Sequence, residues 1–241
     1  MDRKLTLVEH LNELRKRILI SLISLVIGIV LSFPFASYGL KILKLPASGL
    51  IDKLAFFSPQ EGFLVYMRIA FLFALFISMP IILYQTWAFI FPAVGEKLKK
   101  YACYFIFFCS ISFIAGCFFA YFILIPPALK FLLSFANDAL EPIISASKYI
   151  SFIISLILGC GLVFQMPVLS FILTKLGVVN PRTLRNKYKF AIVVIFITAA
   201  IITPTPDAFN MLILALPMLF LYETSIWISF FAKPKLVHPK D

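Results

Sequence analysis

Pro80-Ile81-Ile82-Leu83-Tyr84-Gln85-Thr86-Trp87-Ala88-Phe89-Ile90-Phe91-Pro92-Ala93-Val94-Gly95-Glu96 closes one long apolar segment and opens a short basic loop carrying Lys97, Lys99 and Lys100. Tyr84, Trp87 and Phe89 suit a membrane–water boundary, where rings with an apolar body and a polar edge are enriched. Pro92 has no backbone N–H to give, so the helix is predicted to stop there. Glu96 then stands at the mouth of the membrane among lysines. Two readings of it are open: a solvated loop acid neutralised by its neighbours, or an acidic docking point for a cationic partner.

The rest of the chain supports the membrane reading. It has 241 residues, 62% of them hydrophobic and 14% charged, with a mean hydropathy of +1.01. Several segments reach the roughly 20 apolar residues needed to cross a bilayer core. The expectation is an all-α polytopic membrane protein forming one domain over residues 1–241. The net charge of +11 is better explained by orientation than by nucleic acid, because the cations lie between the apolar segments. Cys103, Cys109, Cys117 and Cys160 fall inside apolar segments without metal-ligand spacing and read as small buried hydrophobes. A charged N-terminus followed by a full-length span, with no small-residue cleavage site, predicts no removable signal peptide.

In residues 1–17, Leu7, Leu11 and Leu14 recur at helical spacing among charged residues, which predicts an amphipathic helix on the membrane surface running into the first span. Six spans are expected, over residues 18–35, 63–91, 101–125, 149–174, 190–203 and 209–231. Between the first two, Pro46, Gly49 and Ser58-Pro59 signal turns. Apolar Leu50, Ile51, Leu54, Phe56 and Phe57 predict a short helix on the membrane surface there. Pro80 is placed to kink span two. Pro126-Pro127 is expected to close span three, and Asn180-Pro181 to start a short helix. Span five, at roughly 21 Å, falls short of a roughly 30 Å core. Pro217 is expected to interrupt span six.

Sixteen of the 22 lysines and arginines lie on one side of these spans: Arg3, Lys4, Arg15, Lys16, Arg17, Lys97, Lys99, Lys100, Lys175, Arg182, Arg185, Lys187, Lys189, Lys233, Lys235 and Lys240. Five, Lys41, Lys44, Lys53, Lys130 and Lys148, lie on the other, and Arg68 sits within span two. The positive-inside rule puts both termini in the cytoplasm, in keeping with an even number of spans.

Enzyme chemistry has little support. There is no phosphate-binding glycine loop, no H-E-x-x-H pair and no G-x-S-x-G elbow, and no cofactor is expected. Arg68, Gln165 and Glu223 are the polar groups read at membrane depth. Arg68 either snorkels to the headgroups or faces a polar interior. Gln165 is read as a helix–helix hydrogen bond. Glu223 is read as protonated or bonded to a neighbouring helix near the inner interface. A six-span permease for an ion or small metabolite, using Arg68 or Glu223, is the alternative function these groups leave open.

Several blocks in order resemble one family. His10-Leu11-Asn12-Glu13-Leu14-Arg15-Lys16-Arg17 is similar to its N-terminal H-L-x-E-L-R-x-R signature. Ser58-Pro59-Gln60-Glu61-Gly62-Phe63 is similar to its S-P-x-E-x-F segment, and residues 80–93 to its P-x-I-L-Y-Q-x-W-x-F-I-x-P-A block. Ala120-Tyr121-Phe122, Tyr149-Ile150-Ser151-Phe152, Phe164-Gln165-Met166-Pro167 and Thr203-Pro204-Thr205-Pro206-Asp207 follow in the family's order. On these motifs the chain resembles the TatC family, the signal-peptide receptor of the twin-arginine translocase, over nearly its whole length.

The resemblance implies a six-helix, glove-like bundle in the bacterial cytoplasmic membrane. It implies a receptor for folded precursors bearing twin-arginine signal peptides. Single-span TatA and TatB are the implied partners, with the proton-motive force as the energy source. Two guanidinium groups need acidic partners, and bidentate pairing with carboxylates gives specificity. By the family match Glu13 is one such partner, with Leu11, Leu14, Arg15 and Phe89 around it, and short spans five and six would thin the membrane. The chain departs from the pattern twice. Leu98 stands where the family carries its first-loop glutamate, with Glu96 two residues early, so either Glu96 substitutes by another loop path or the site is weakened. Gln165 stands where glutamate is frequent, at the site tied to partner-helix contact, and it cannot titrate. Asp207 matches the outer-turn acid and is also suited to cap span six.

Overall fold

A computed structural model of the chain describes residues 7–51, 53–90, 102–135, 143–175, 177–203 and 207–232. The apolar run after the N-terminal signature folds as one helix, α1 (Leu7–Ser32). The amphipathic segment is therefore the first turns of span one and not a separate element. A 3-10 turn, Phe33–Phe35, with Pro34 at its start, leads into α2 (Ala36–Lys44), and a second 3-10 turn, Leu45–Ala47, contains Pro46. The α-helix ends at Ser32: Pro34 has no N–H for the Val30 carbonyl, and the chain runs on through the 3-10 turn into α2. The expectation for the first loop is corrected. The first-loop helix covers Ala36–Lys44, and the described residues of the apolar stretch 50–57 are not helical.

Helix α3 (Pro59–Ile90) carries Pro80 inside it. Helix α4 (Ala102–Phe119) widens into a π-helical turn, Ala120–Leu124, and continues as α5 (Ile125–Leu133). Pro126-Pro127 thus opens α5 and does not close span three. The two prolines leave the carbonyls of Phe122 and Ile123 without α-helical donors, and a locally wider turn is the ordinary way to absorb that loss. Span four is two helices, α6 (Ala146–Val163) and α7 (Met166–Lys175). Pro167 has no N–H for the Val163 carbonyl, so the ladder breaks at Phe164-Gln165.

Asn180-Pro181 starts α8 (Pro181–Asn186) as expected, and the Asn180 side chain caps the Arg182 N–H at 3.1 Å. Helix α9 (Tyr188–Ile202) has 15 residues, about 22 Å at helical rise, so span five is short. Helix α10 (Ala208–Ala232) runs 25 residues through Pro217, roughly 37 Å. Span six is therefore neither interrupted nor short. Among the described residues, five helical stretches are long and apolar enough to cross a membrane, and α9 is a shorter apolar one.

The chain divides into two compact units: Met1–Leu40 with Tyr66–Ser110, and Lys41–Val65 with Ile111–Asp241. In the first, α1 lies on α3 through small residues. An added Cβ at Gly28 would stand 3.1 Å from the Ala74 Cβ, and the Ser78 hydroxyl donates to the Ser24 carbonyl at 2.9 Å. Close backbone approach of this kind is how helices associate without a hydrophobic driving force between them.

In the second unit the same device recurs at Gly116, where a Cβ would lie 2.6 Å from the Cys160 carbonyl oxygen and 2.8 Å from the Phe164 ring. The Ser112 hydroxyl donates to the Phe164 carbonyl at 2.5 Å. Ser170 donates to the Ser225 carbonyl at 3.1 Å, and Thr174 bonds to Ser229, zipping α7 to α10. Cys109, Cys117 and Cys160 are buried, as expected of small hydrophobes.

Gly116→Ala is expected to lower stability by about 1–3 kcal/mol through overpacking against backbone, outweighing the ~1 kcal/mol that alanine gains as a helix former. Gly62→Ala is the control. Its Cβ would meet nothing nearer than the Phe56 ring at 3.8 Å, and its thermal unfolding in detergent should match or exceed that of the parent.

Candidate functional site

The first turns of α1 and the last turns of α3 carry the residues that the N-terminal signature and the stretch 80–96 single out. The rings of His10 and Phe89 stack with centroids 4.5 Å apart and planes at 21°. One turn further along α1, Glu13 accepts from Arg17 Nη2 at 3.1 Å. The other terminal nitrogen, Arg17 Nη1, donates to Gln85 Oε1 at 2.9 Å. Gln85 is buried, and Trp87 behind it is buried against the Phe105 ring at 4.5 Å. The side chains of Arg17 and Glu13 keep 26% and 24% of their exposure, so both reach water from the edge of the packed surface.

This geometry has a chemical reading. Glu13 precedes Arg17 by four residues, the favourable order for a pair on one helix face, and such a pair is worth only about 0.3–0.5 kcal/mol. The Glu13 carboxylate has capacity for several further donors, and its internal partner holds it weakly. Arg17 has a second seat on Gln85, so it is retained at the site when Glu13 exchanges its partner.

Of the predicted site residues, Glu13 and Phe89 are thus brought to one place. Leu11 and Arg15 are exposed and Leu14 is half-buried on the same helix. Glu96, with Leu98 and Pro92, lies outside the described residues. His10, Arg17 and Gln85 were not given roles from sequence. Gln85 had a readable signal, a lone amide within a run of apolar residues, and Arg17 had its four-residue spacing from Glu13.

The remaining polar residues sit elsewhere. Gln165 is buried at the break between α6 and α7 and donates from Nε2 to the Gly161 carbonyl, one turn back, at 3.4 Å. That bond stays within its own segment. Asp207 caps α10: its Oδ1 accepts from the Asn210 N–H at 2.7 Å and its Oδ2 from the Asn210 amide at 2.9 Å. Arg68 is exposed on α3. Glu223 bonds to Arg185 at 2.5 Å, so it is paired with the basic segment between spans four and five.

A second polar cluster, built from motif residues that had no role from sequence, stands at the start of α3. Glu61 is buried and accepts from the Phe57 N–H at 2.7 Å, the Ser147 N–H at 2.9 Å and the Ser145 hydroxyl. Beside it the chain pairs in parallel, with Ala55 N–H on the Ile144 carbonyl at 2.9 Å and Ala146 N–H on the Ala55 carbonyl at 3.0 Å. Two phenols complete the cluster. Tyr121 donates to the Ile42 carbonyl at 2.7 Å and Tyr149 to the Leu43 carbonyl at 2.8 Å, satisfying acceptors that the end of α2 leaves open. The S-P-x-E, A-Y-F and Y-I-S-F motifs are therefore parts of one hydrogen-bonded cap.

Comparison with known proteins agrees with this picture. The family described as Sec-independent protein translocase protein (TatC) matches residues 9–217. The Sec-independent protein translocase protein TatC of Carboxydothermus hydrogenoformans is 41% identical over 234 residues, covering 97% of this chain and 96% of that one. The protein of the same description from Helicobacter pylori is 40% identical over 232 residues, covering 96% and 90%. A crystal structure of the twin-arginine translocase receptor TatC superposes with a TM-score of 0.84 at 38% identity, covering 93% of this chain and 99% of that one.

Proposed function

Because the chain belongs to the TatC family of Sec-independent protein translocase proteins, a family of translocase components and not of enzymes, we propose that it is the receptor subunit for twin-arginine signal peptides. In this reading it binds the signal of a folded precursor at the cytoplasmic face of a bacterial inner membrane. It then assembles with TatA- and TatB-like single-span proteins for transport driven by the proton-motive force. The observation that carries it is the Glu13 carboxylate, weakly paired to Arg17 and flanked by the His10–Phe89 stack. One incoming guanidinium takes Glu13. Glu96, on the chain between α3 and α4, supplies the carboxylate for the other. Leu11, Leu14 and Arg15 line the approach, Gln165 meets a partner helix, and Pro46 and Asp207 shape the outer face.

The test is binding of a twin-arginine signal peptide to the full chain purified in detergent, against the same peptide with both arginines changed to lysine. Lysine keeps the charge but loses the planar fork that pairs bidentately with a carboxylate, so binding should fall, by about tenfold for each ~1.4 kcal/mol lost. Equal binding of both peptides by correctly folded protein counts against the receptor reading, and solute flux in proteoliposomes would then test the permease.

A further inference from the structure

Between α8, the start of α9 and the second half of α10 lies an open cavity of about 590 Å³, lined by Arg185, Asn186, Tyr188, Lys189 and Glu223. Its cations reach solvent, with Arg185 and Lys189 exposed and Glu223 half-buried. We propose that this cavity binds the phosphate-bearing headgroup of an anionic phospholipid from the cation-rich side of the membrane.

Charge is the first argument. Arg182, Arg185, Lys187 and Lys189 fall within eight residues, against the single carboxylate of Glu223 in the lining. The ion pair with Glu223 does not exhaust them. Arg185 gives Nη1 to Glu223 and keeps 59% side-chain exposure, leaving further guanidinium N–H groups for an anion. Basic pockets between membrane helices on this side are favourable seats for anionic headgroups.

The frame is preformed. Tyr222 Oη donates to the Leu184 carbonyl at 2.9 Å, tying α8 to α10, and the Tyr188 and Tyr222 rings meet at 5.7 Å. Position favours a lipid over a soluble phosphate. The apolar surface begins at the next residue, with Phe190 69% and Val193 55% exposed on α9. A headgroup in the cavity would therefore have its acyl chains beside apolar side chains. Tyr188 at this level matches the aromatic belt of the interface.

The Glu223 carboxylate fixes the sign of the test. It orients Arg185 but repels an anion, so Glu223→Gln should leave headgroup binding unchanged or tighten it by up to about fivefold. A cavity built for a cation would instead lose its ligand. Lys189→Gln should weaken binding by about fivefold, the effect of one interfacial cation.

The experiment is native mass spectrometry of the delipidated full chain titrated with short-chain phosphatidylglycerol, phosphatidylcholine or sodium phosphate, with melting temperature checking the fold of each variant. Expected are binding of phosphatidylglycerol about tenfold or more tighter than phosphatidylcholine, no displacement by millimolar phosphate, and the two variant shifts above. Equal affinity for the two lipids would overturn the proposal, as would indifference to Lys189→Gln or loss of binding in Glu223→Gln. Displacement by phosphate would also overturn it, reassigning the site to a soluble anion.

Discussion

Glu13→Gln is expected to lower the affinity for a twin-arginine peptide by about 10- to 100-fold while leaving thermal unfolding nearly unchanged. The two halves of this expectation come from different magnitudes. A hydrogen bond to a charged group contributes about 1.5–3 kcal/mol net, which is one to two powers of ten in a dissociation constant. The bond Glu13 makes within the chain is a partly exposed pair with Arg17 at 3.1 Å, worth about 0.3–0.5 kcal/mol. Glutamine keeps one acceptor for Arg17 but removes the charge and the bidentate geometry that a guanidinium needs. Peptide titration and a melting curve on the same detergent-purified sample measure both halves. Unchanged affinity would remove Glu13 from the site. A large fall in melting temperature would mean that Glu13 holds the fold.

The spans were legible because bilayer thickness sets a length and apolar composition fills it, which needs no knowledge of tertiary contacts. Pro126-Pro127 was misread as a helix end. These two residues lack an N–H wherever they stand, and only the neighbouring backbone decides whether that loss ends the helix or is absorbed, as here, by a wider turn. The first loop failed for a related reason. The apolar stretch 50–57 looked like a surface helix, yet Ala55 is held extended by residues 144 and 146, a pairing nearly ninety residues distant that no local pattern announces. The candidate site was half legible. Glu13 and Phe89 came from motifs, whereas the link from Arg17 to Gln85 joins residues 68 apart in sequence.

Glu61→Ala is expected to lower the melting temperature more than any other substitution in this cap and to leave peptide affinity within about twofold, the reverse of Glu13→Gln. The carboxylate accepts from two backbone N–H groups and a hydroxyl. Removing it leaves each of these donors without that acceptor. The carboxylate also lies in the first turn of α3, where negative charge is favoured, so Glu61→Gln should lose part of the stability even though it retains an acceptor. Ser145→Ala, which deletes a single donor, should cost about 1 kcal/mol. Affinity is spared because Glu61 and Phe89 are 28 residues apart on one helix, roughly 42 Å along its axis. Melting temperatures of the three variants in detergent, read beside peptide titrations, test the expected order: Glu61→Ala lowest, Glu61→Gln between, Ser145→Ala highest. If Glu61→Ala melts with the parent, the hydrogen bonds of this cap are replaced by water without loss, and the S-P-x-E motif needs another explanation.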